Sequence, residues 1–172
     1  IENAHPEFKN VIVRRLLPDK LVLKADLRKA AAQVRSDRYY VVDAEGIFLP
    51  EPKNFPDEDL PVIAGIGMKL SMVSGPKLRG IEREKLDKAL SFIRDISENM
   101  SLAKHKLKMV DTSDQGNLSF FLDEANVEIK IGSSDFKNRL GTLVTVLEQL
   151  GTDFSKFKYI DLRFDDPIIG PR

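Results

Sequence analysis

The 172-residue chain contains no cysteine, no tryptophan and only two histidines, His5 and His105. Without thiols there is no disulfide, no thiolate zinc or iron–sulfur site and no cysteine nucleophile. Two imidazoles are too few for a multi-histidine metal centre. Net charge is lacking as well. The 27 basic residues balance 27 acidic ones, with no run of five like charges. This argues against nucleic acid as a partner, because such binding rests on neutralising phosphates. No apolar run nears the ~20 residues of a membrane span, and no signal peptide is visible. What is present suits a folded protein: 42% hydrophobic residues, in a chain long enough to bury about 70% of its unfolded surface. At roughly 150 residues per domain, the length fits one domain or two small ones.

The apolar pattern predicts two hairpins at the start. Val11-Ile12-Val13 leads through Pro18-Asp19-Lys20 to Leu21, Leu23, Ala25 and Leu27, which alternate with Val22, Lys24, Asp26 and Arg28; Pro presets φ and Asp bonds its own backbone at such a turn. Tyr39-Tyr40-Val41-Val42, the turn Asp43-Ala44-Glu45-Gly46 and Ile47-Phe48-Leu49 read as the second. A proline-rich surface connection covers 50–61, followed by a short apolar segment, 61–65. A helix is expected over about 82–98, with Leu86, Ala89, Leu90, Ile93 and Ile96 on its buried stripe and Glu84–Lys88 paired outside. Strands follow at 107–110, 118–122 and 127–131, the last two joined by 123–126. A second helix spans 135–150, with Ser134 as N-cap, Gly151 at its end, and Phe136, Leu140, Leu143, Leu147 and Leu150 inward. One last strand covers 157–164. The expected class is α+β: a mostly antiparallel sheet, one wet face, and two long amphipathic helices packed on the other.

Catalytic motifs are scarce. Gly65-Ile66-Gly67 lacks the third glycine of a dinucleotide loop and opens no helix, so it reads as a strand-end turn. Asp57-Glu58-Asp59 and Asp165-Asp166 lack calcium-loop spacing and read as solvated charge. His5 and His105, the latter among Lys104, Lys106 and Lys108, sit in no hydrolase or metalloprotease context. Asn99-Met100-Ser101 and Asn117-Leu118-Ser119 match a glycosylation pattern too loose to weigh. The last strand differs. Its outer face, Tyr159, Asp161 and Arg163, joins an aromatic to opposite charges near a chain end, where a sheet edge leaves backbone groups unpaired. It reads either as an edge blunted by charge and Pro167 or as a template for a partner strand.

Several of these segments, in order, carry a resemblance. They are Val13-Arg14-Arg15 with Pro18, Val42-Asp43-x-x-Gly46, Leu60-Pro61-Val62-Ile63-Ala64-Gly65, a helix, and Ile160-Asp161-Leu162-Arg163-Phe164. The set resembles the FtsQ/DivIB family of bacterial cell-division proteins across nearly the whole chain. The resemblance implies a short cytoplasmic tail, one span of the cytoplasmic membrane, a POTRA domain and a β domain on the extracytoplasmic (periplasmic) side. On that reading residues 1–30 are the truncated end of POTRA, residues 31–172 are the β domain, and Ile1 is a cut end. Ala30-Ala31 stands where the family often carries a proline.

The family resemblance further implies a non-catalytic scaffold without cofactor or metal. Its partners would be the small coiled-coil proteins FtsB (DivIC) and FtsL, captured by strand addition beside Tyr159 to Ile169. Tyr159, Asp161, Arg163, Phe164, Asp166, Ile168 and Ile169 are the expected partner-binding residues, with the helix 135–150 flanking them. Pro167 and Pro171 interrupt that edge. The alternatives are a POTRA-type assembly module of outer-membrane or secretion machinery, which would require tandem POTRA repeats, and an uncharacterised ligand-binding or enzymatic domain. The second would be marked by a deep pocket at Asp57 or His105.

Overall fold

The computed structural model describes residues 4–68, 70–71, 75–76, 78–114, 116–122, 125–150 and 156–172. The first turn signal forms as expected: β1 (Phe8–Leu16) and β2 (Lys20–Leu27) pair antiparallel in a hairpin of their own. One face of β2 carries Leu21, Leu23, Ala25 and Leu27, and its three leucines are each more than half exposed. That apolar face has no cover among the described residues.

The next strands depart from the sequence pattern. β3 (Ala30–Arg35) is not expected from the pattern, and it forms a full antiparallel ladder with β4 (Tyr39–Asp43). Alanine is a poor strand former in isolation. Here Ala32 and Val34 are fully buried, and β3 has a ladder on each side, so tertiary pairing overrides local preference. On the other edge of β4 the expected return at 47–49 forms through the Val42–Phe48 bridge, with Asp43 N–H donating to the Ile47 carbonyl and Leu49 N–H to that of Val41, and a second bridge joins Tyr39 to Lys53.

β5 (Val62–Ala64) follows, then the small ribbon β6 (Leu70–Ser71) and β7 (Gly75–Pro76), and then α1 (Ile81–Glu98). β8 (Leu107–Asp114), β9 (Asn117–Leu122) and β10 (Ala125–Gly132) form a meander. α2 (Phe136–Leu150) leads to β11 (Phe157–Asp161) and β12 (Ile168–Pro171). The main sheet has eight strands in the order β12-β11-β10-β9-β8-β5-β3-β4. Antiparallel pairing predominates, giving the expected α+β class. The parallel pairs are β3/β5, β5/β8 and β10/β11. All three need crossovers: α1 and α2 supply two of them, and β4 with the 44–61 segment supplies the third.

Both helices lie on one face, where their stripes merge with Ala32, Val42, Ile63, Val110, Phe120, Ile129 and Ile160 in a single core. Phe92 is the joint. It is fully buried, 4.8 Å from the Phe120 ring centre and 5.5 Å from that of Phe136 on α2. On α1, Arg83–Asp87 and Lys85–Glu82 are the ion pairs observed. α2 starts one residue later than expected, so Asp135, not Ser134, precedes its first turn. The Asp135 carbonyl accepts from Arg139 N–H, and its Oδ1 accepts from Asn138 Nδ2 at 2.7 Å. Gly151 and residues 123–124 lie outside the described residues.

On the opposite face the 50–61 segment is pinned by Gln33, which is fully buried. Its Nε2 donates to the Asp57 and Leu60 carbonyls at 2.7 and 2.8 Å, and its Oε1 accepts from Asp57 N–H at 2.9 Å. The amide is thereby satisfied on both ends, as burial demands. Among the described residues no helix is long and apolar enough to cross a membrane.

Candidate functional site

The segment Phe157 to Arg172 holds every residue expected to bind a partner. The expected strand 157–164 ends at Asp161 as β11, and a further strand, β12, follows at Ile168–Pro171. β11 runs parallel to β10 and antiparallel to β12, so β12 is the rim of the sheet and β11 is paired on both sides. The break follows Asp161. Its carboxylate is 7% exposed and is grasped by Arg163 two residues on, through Nε to Oδ1 at 2.8 Å and Nη2 to Oδ2 at 2.6 Å. The Arg163 N–H adds a third bond, to Oδ1 at 3.1 Å. A bidentate guanidinium–carboxylate pair is strong and geometrically demanding. It curls the chain out of the strand direction into the exposed turn at 164–166.

This pairing corrects the expected wet outer face: Asp161 is buried and already bonded. Arg163 holds its carboxyl below the ordinary carboxylate range, although burial opposes the shift. Asp161 therefore favours the folded state in full above about pH 4, its ordinary range, and that contribution is lost as pH falls through the lower folded value. Arg163→Gln is expected to cost about 1–3 kcal/mol at pH 7, because it orphans a buried acceptor, less whatever solvent screens at the partly exposed guanidinium. In melting curves the gap between wild type and variant should narrow below pH 4. A gap constant from pH 7 to pH 3 would refute the role given to this pair.

Tyr159 is also largely engaged. It lies opposite Gly170 in the register. A Cβ at position 170 would sit 2.3 Å from the tyrosine ring, so only glycine lets the ring lie flat there. Lys130 Nζ stands 5.2 Å from the ring centre. What remains open is further along. Phe164 is 55% and Ile168 46% exposed, Asp165 and Asp166 are exposed between them, and Ile169 packs its side chain on the core.

Backbone direction decides what the rim can offer. Leu162 N–H donates to the Lys130 carbonyl at 2.8 Å, and Arg172 N–H to the Lys156 carbonyl at 3.0 Å. Peptide groups alternate in direction along a strand. Ile168, Gly170 and Arg172 therefore turn their main chain toward β11, while Pro167, Ile169 and Pro171 turn theirs outward. Proline has no donor and is tolerated at such outward positions. The rim thus presents one N–H, that of Ile169, with carbonyls on either side of it. The two prolines shorten the edge available to a partner without abolishing it. Gly170 was not singled out in the sequence, although a glycine opposite an aromatic in a strand is a readable sign of close approach.

The other sequence candidates are structural. Gly65 has φ of 85°, and a Cβ there would meet the Ser113 main-chain nitrogen at 2.3 Å, so the glycine permits β5 and β8 to close up. Gly67 N–H is taken by the Glu82 carboxylate at 2.5 Å, which leaves no anion site. Asp57 pairs with Lys53 at 2.7 Å, which lowers its carboxyl below the ordinary range. Asp57 and His105 border different cavities, of about 390 and 520 Å3. His5 lies 3.2 Å from Glu7. The Asn99 amide oxygen accepts from Ser101 and Leu102 N–H, and Asn117 Nδ2 donates to Asp114. Among the described residues no three His, Asp or Glu cluster in a way that could hold a metal.

Residues 30–163 match the profile of the family described as "Cell division protein FtsQ/DivIB, C-terminal". Among curated relatives, the "Cell division protein FtsQ" of Geotalea daltonii is 31% identical over 170 residues, covering 96% of this chain and 58% of the relative. The FtsQ of Syntrophotalea carbinolica is 26% identical, covering 96% and 57%. The "Cell division protein DivIB" of Clostridium acetobutylicum is 26% identical, covering 92% and 61%. The chain thus spans about three fifths of the length of these relatives. Among solved structures, the major extracytoplasmic domain of the division protein DivIB from Geobacillus stearothermophilus aligns with a TM-score of 0.47 and 10% identity, over 76% of this chain and 99% of that one.

Proposed function

The chain belongs to the FtsQ/DivIB family of cell-division proteins, and from that premise we propose that it is a non-catalytic scaffold of the division machinery. It links early and late components at the septum by capturing FtsB (DivIC)- and FtsL-like coiled-coil proteins. The observation that carries this reading is the rim strand β12, with Ile169 N–H directed outward between two prolines and with Phe164 and Ile168 exposed beside it. A partner strand would add there through main-chain bonds, with the side chains selecting it. Asp166 and the neighbouring Asp165 favour a basic flank on that partner and act mainly on its rate of association. Tyr159, Asp161 and Arg163 shape the rim from beneath.

In the same reading the whole protein is anchored by one span of the bacterial cytoplasmic membrane, with this region on the periplasmic side. Residues 1–30 are the end of a POTRA domain and residues 31–172 the β domain. The uncovered leucines of β2 support this division, because an open apolar sheet face calls for a covering layer.

The test is calorimetric titration with a synthetic peptide from the extracytoplasmic end of an FtsB/DivIC-like protein. Ile169→Pro removes the outward donor and should weaken binding about tenfold or more, as expected for a lost backbone bond plus a blocked approach. Ile168→Asp should weaken it while leaving the melting temperature near wild type. Unaltered affinity in both variants would overturn the site.

A further inference from the structure

The hairpin β1–β2 and the eight-stranded sheet meet across a cleft of about 490 Å3, with the charged side chains of Lys9, Asp26 and Lys29 on one side and of Asp43 and Glu45 on the other. Charge bridges the seam beside it at Arg28. Its Nη1 donates to Asp43 Oδ2 and to Glu45 Oε2, both at 2.6 Å. The Arg28 side chain is 11% exposed and that of Asp43 5%. Lys9 Nζ adds a longer arm, 3.6 Å from Glu45 Oε1.

The two ends of this clasp are held differently. The receiving turn is braced: Asp43 Oδ1 accepts from the N–H groups of Glu45 and Ile47 at 2.9 and 2.8 Å. From behind, Arg83 of α1 donates to the carbonyls of Glu45 and Gly46 at 2.9 and 3.1 Å. Arg28 belongs to the hairpin side, because its N–H donates to the Glu7 carbonyl at 2.8 Å. Only Arg28 and Lys29 separate β2 from β3. Arg28 Nε is buried without a partner, so the guanidinium is placed for the geometry of the pair rather than for full satisfaction. Two bodies that meet over a small polar seam, without a large apolar interface, move relative to one another by default.

We propose that Arg28 is a latch: bound to Asp43 and Glu45 it fixes the angle between the hairpin unit and the sheet, and when it is released the hairpin swings about residues 28–29. Arg28 is a positioning residue and makes no demand on the β12 rim, so this inference stands apart from the partner reading.

The absence of cysteine makes the test direct. Asp19→Cys at the hairpin tip and Glu148→Cys on α2 carry the only spin labels, and double electron–electron resonance reads the distance between them. The latched protein should give one narrow distance distribution. Arg28→Gln should at least double its width, and orphaning the buried Asp43 carboxylate should lower the melting temperature as well. Arg28→Lys should fall between the two, since a strongly hydrated ammonium on a flexible stem keeps the charge but fixes the angle less firmly. The double variant Lys9→Gln/Glu45→Gln touches only exposed groups and should broaden the distribution partially, even if Arg28→Gln folds poorly. A wild-type distribution that is already broad, or one that both sets of variants leave unaltered, overturns the latch.

Discussion

The Gly170→Val protein is expected to lose roughly tenfold to a hundredfold in affinity for an FtsB/DivIC-like peptide. The side chain of residue 170 would be built into the Tyr159 ring, with its Cβ 2.3 Å from a ring carbon. Overpacking of this kind costs about 1–3 kcal/mol, and each 1.4 kcal/mol is tenfold in an equilibrium constant. The strain falls on β12, which has a neighbour on one side only. That strand would shift away from β11 before the rest of the sheet yields, and the outward main chain of Ile169 would be misplaced. Titration reads the affinity, and hydrogen exchange should show β12 opening while β8 and β9 stay protected. The Tyr159→Ala/Gly170→Val double variant should recover much of the loss, because the obstacle has been removed. Affinity within twofold of wild type in the single variant would rule out the close approach as the determinant of the rim.

Phe92→Ala is expected to have the largest effect on stability, about 3–5 kcal/mol for deleting a buried phenylalanine. Phe92 is fully buried and joins three elements, α1, β9 and α2, through the rings of Phe120 and Phe136. None of its neighbours can collapse into the void without moving a helix, which puts the cost toward the upper end. In a domain of this size the melting temperature should drop by roughly 6–20 °C. Thermal unfolding followed by circular dichroism measures this, and a drop under 3 °C would contradict the joint.

Much of the scaffold could be read before the structure, and the failures have physical causes. Both helices announce themselves by their stripes, yet Phe92 lies at the margin of the α1 stripe. It is buried because α2 presents Phe136 there, and that is a tertiary fact that no single-helix period records. β3 was missed because Ala30, Ala31 and Ala32 say little locally; burial between β4 and β5 makes them a strand. The candidate rim was legible as a region but not in its inner arrangement. Alternation continues through Leu162, which still donates to Lys130, so nothing in the pattern marks where the strand ends. The clasp of Arg163 on Asp161 occurs at i and i+2, the spacing of two residues on one strand face, and so reads as a solvated pair. Its actual role, turning the chain back to form β12, depends on burial. The prolines at 167 and 171 read as obstacles, and they turn out to occupy the two outward positions on either side of Ile169.

The order of the strands sets a length as well as a topology. Seven steps separate β4 from β12, which at about 4.8 Å each is roughly 33 Å across the sheet. Arg28 engages the turn at the end of β4, and Ile169 faces out from β12. For a partner strand added at β12, as proposed, the sheet would act as a ruler from the Arg28 seam to the point of capture. A strand added there would be carried at that fixed distance from the turn that receives Arg28, whichever angle the hairpin takes.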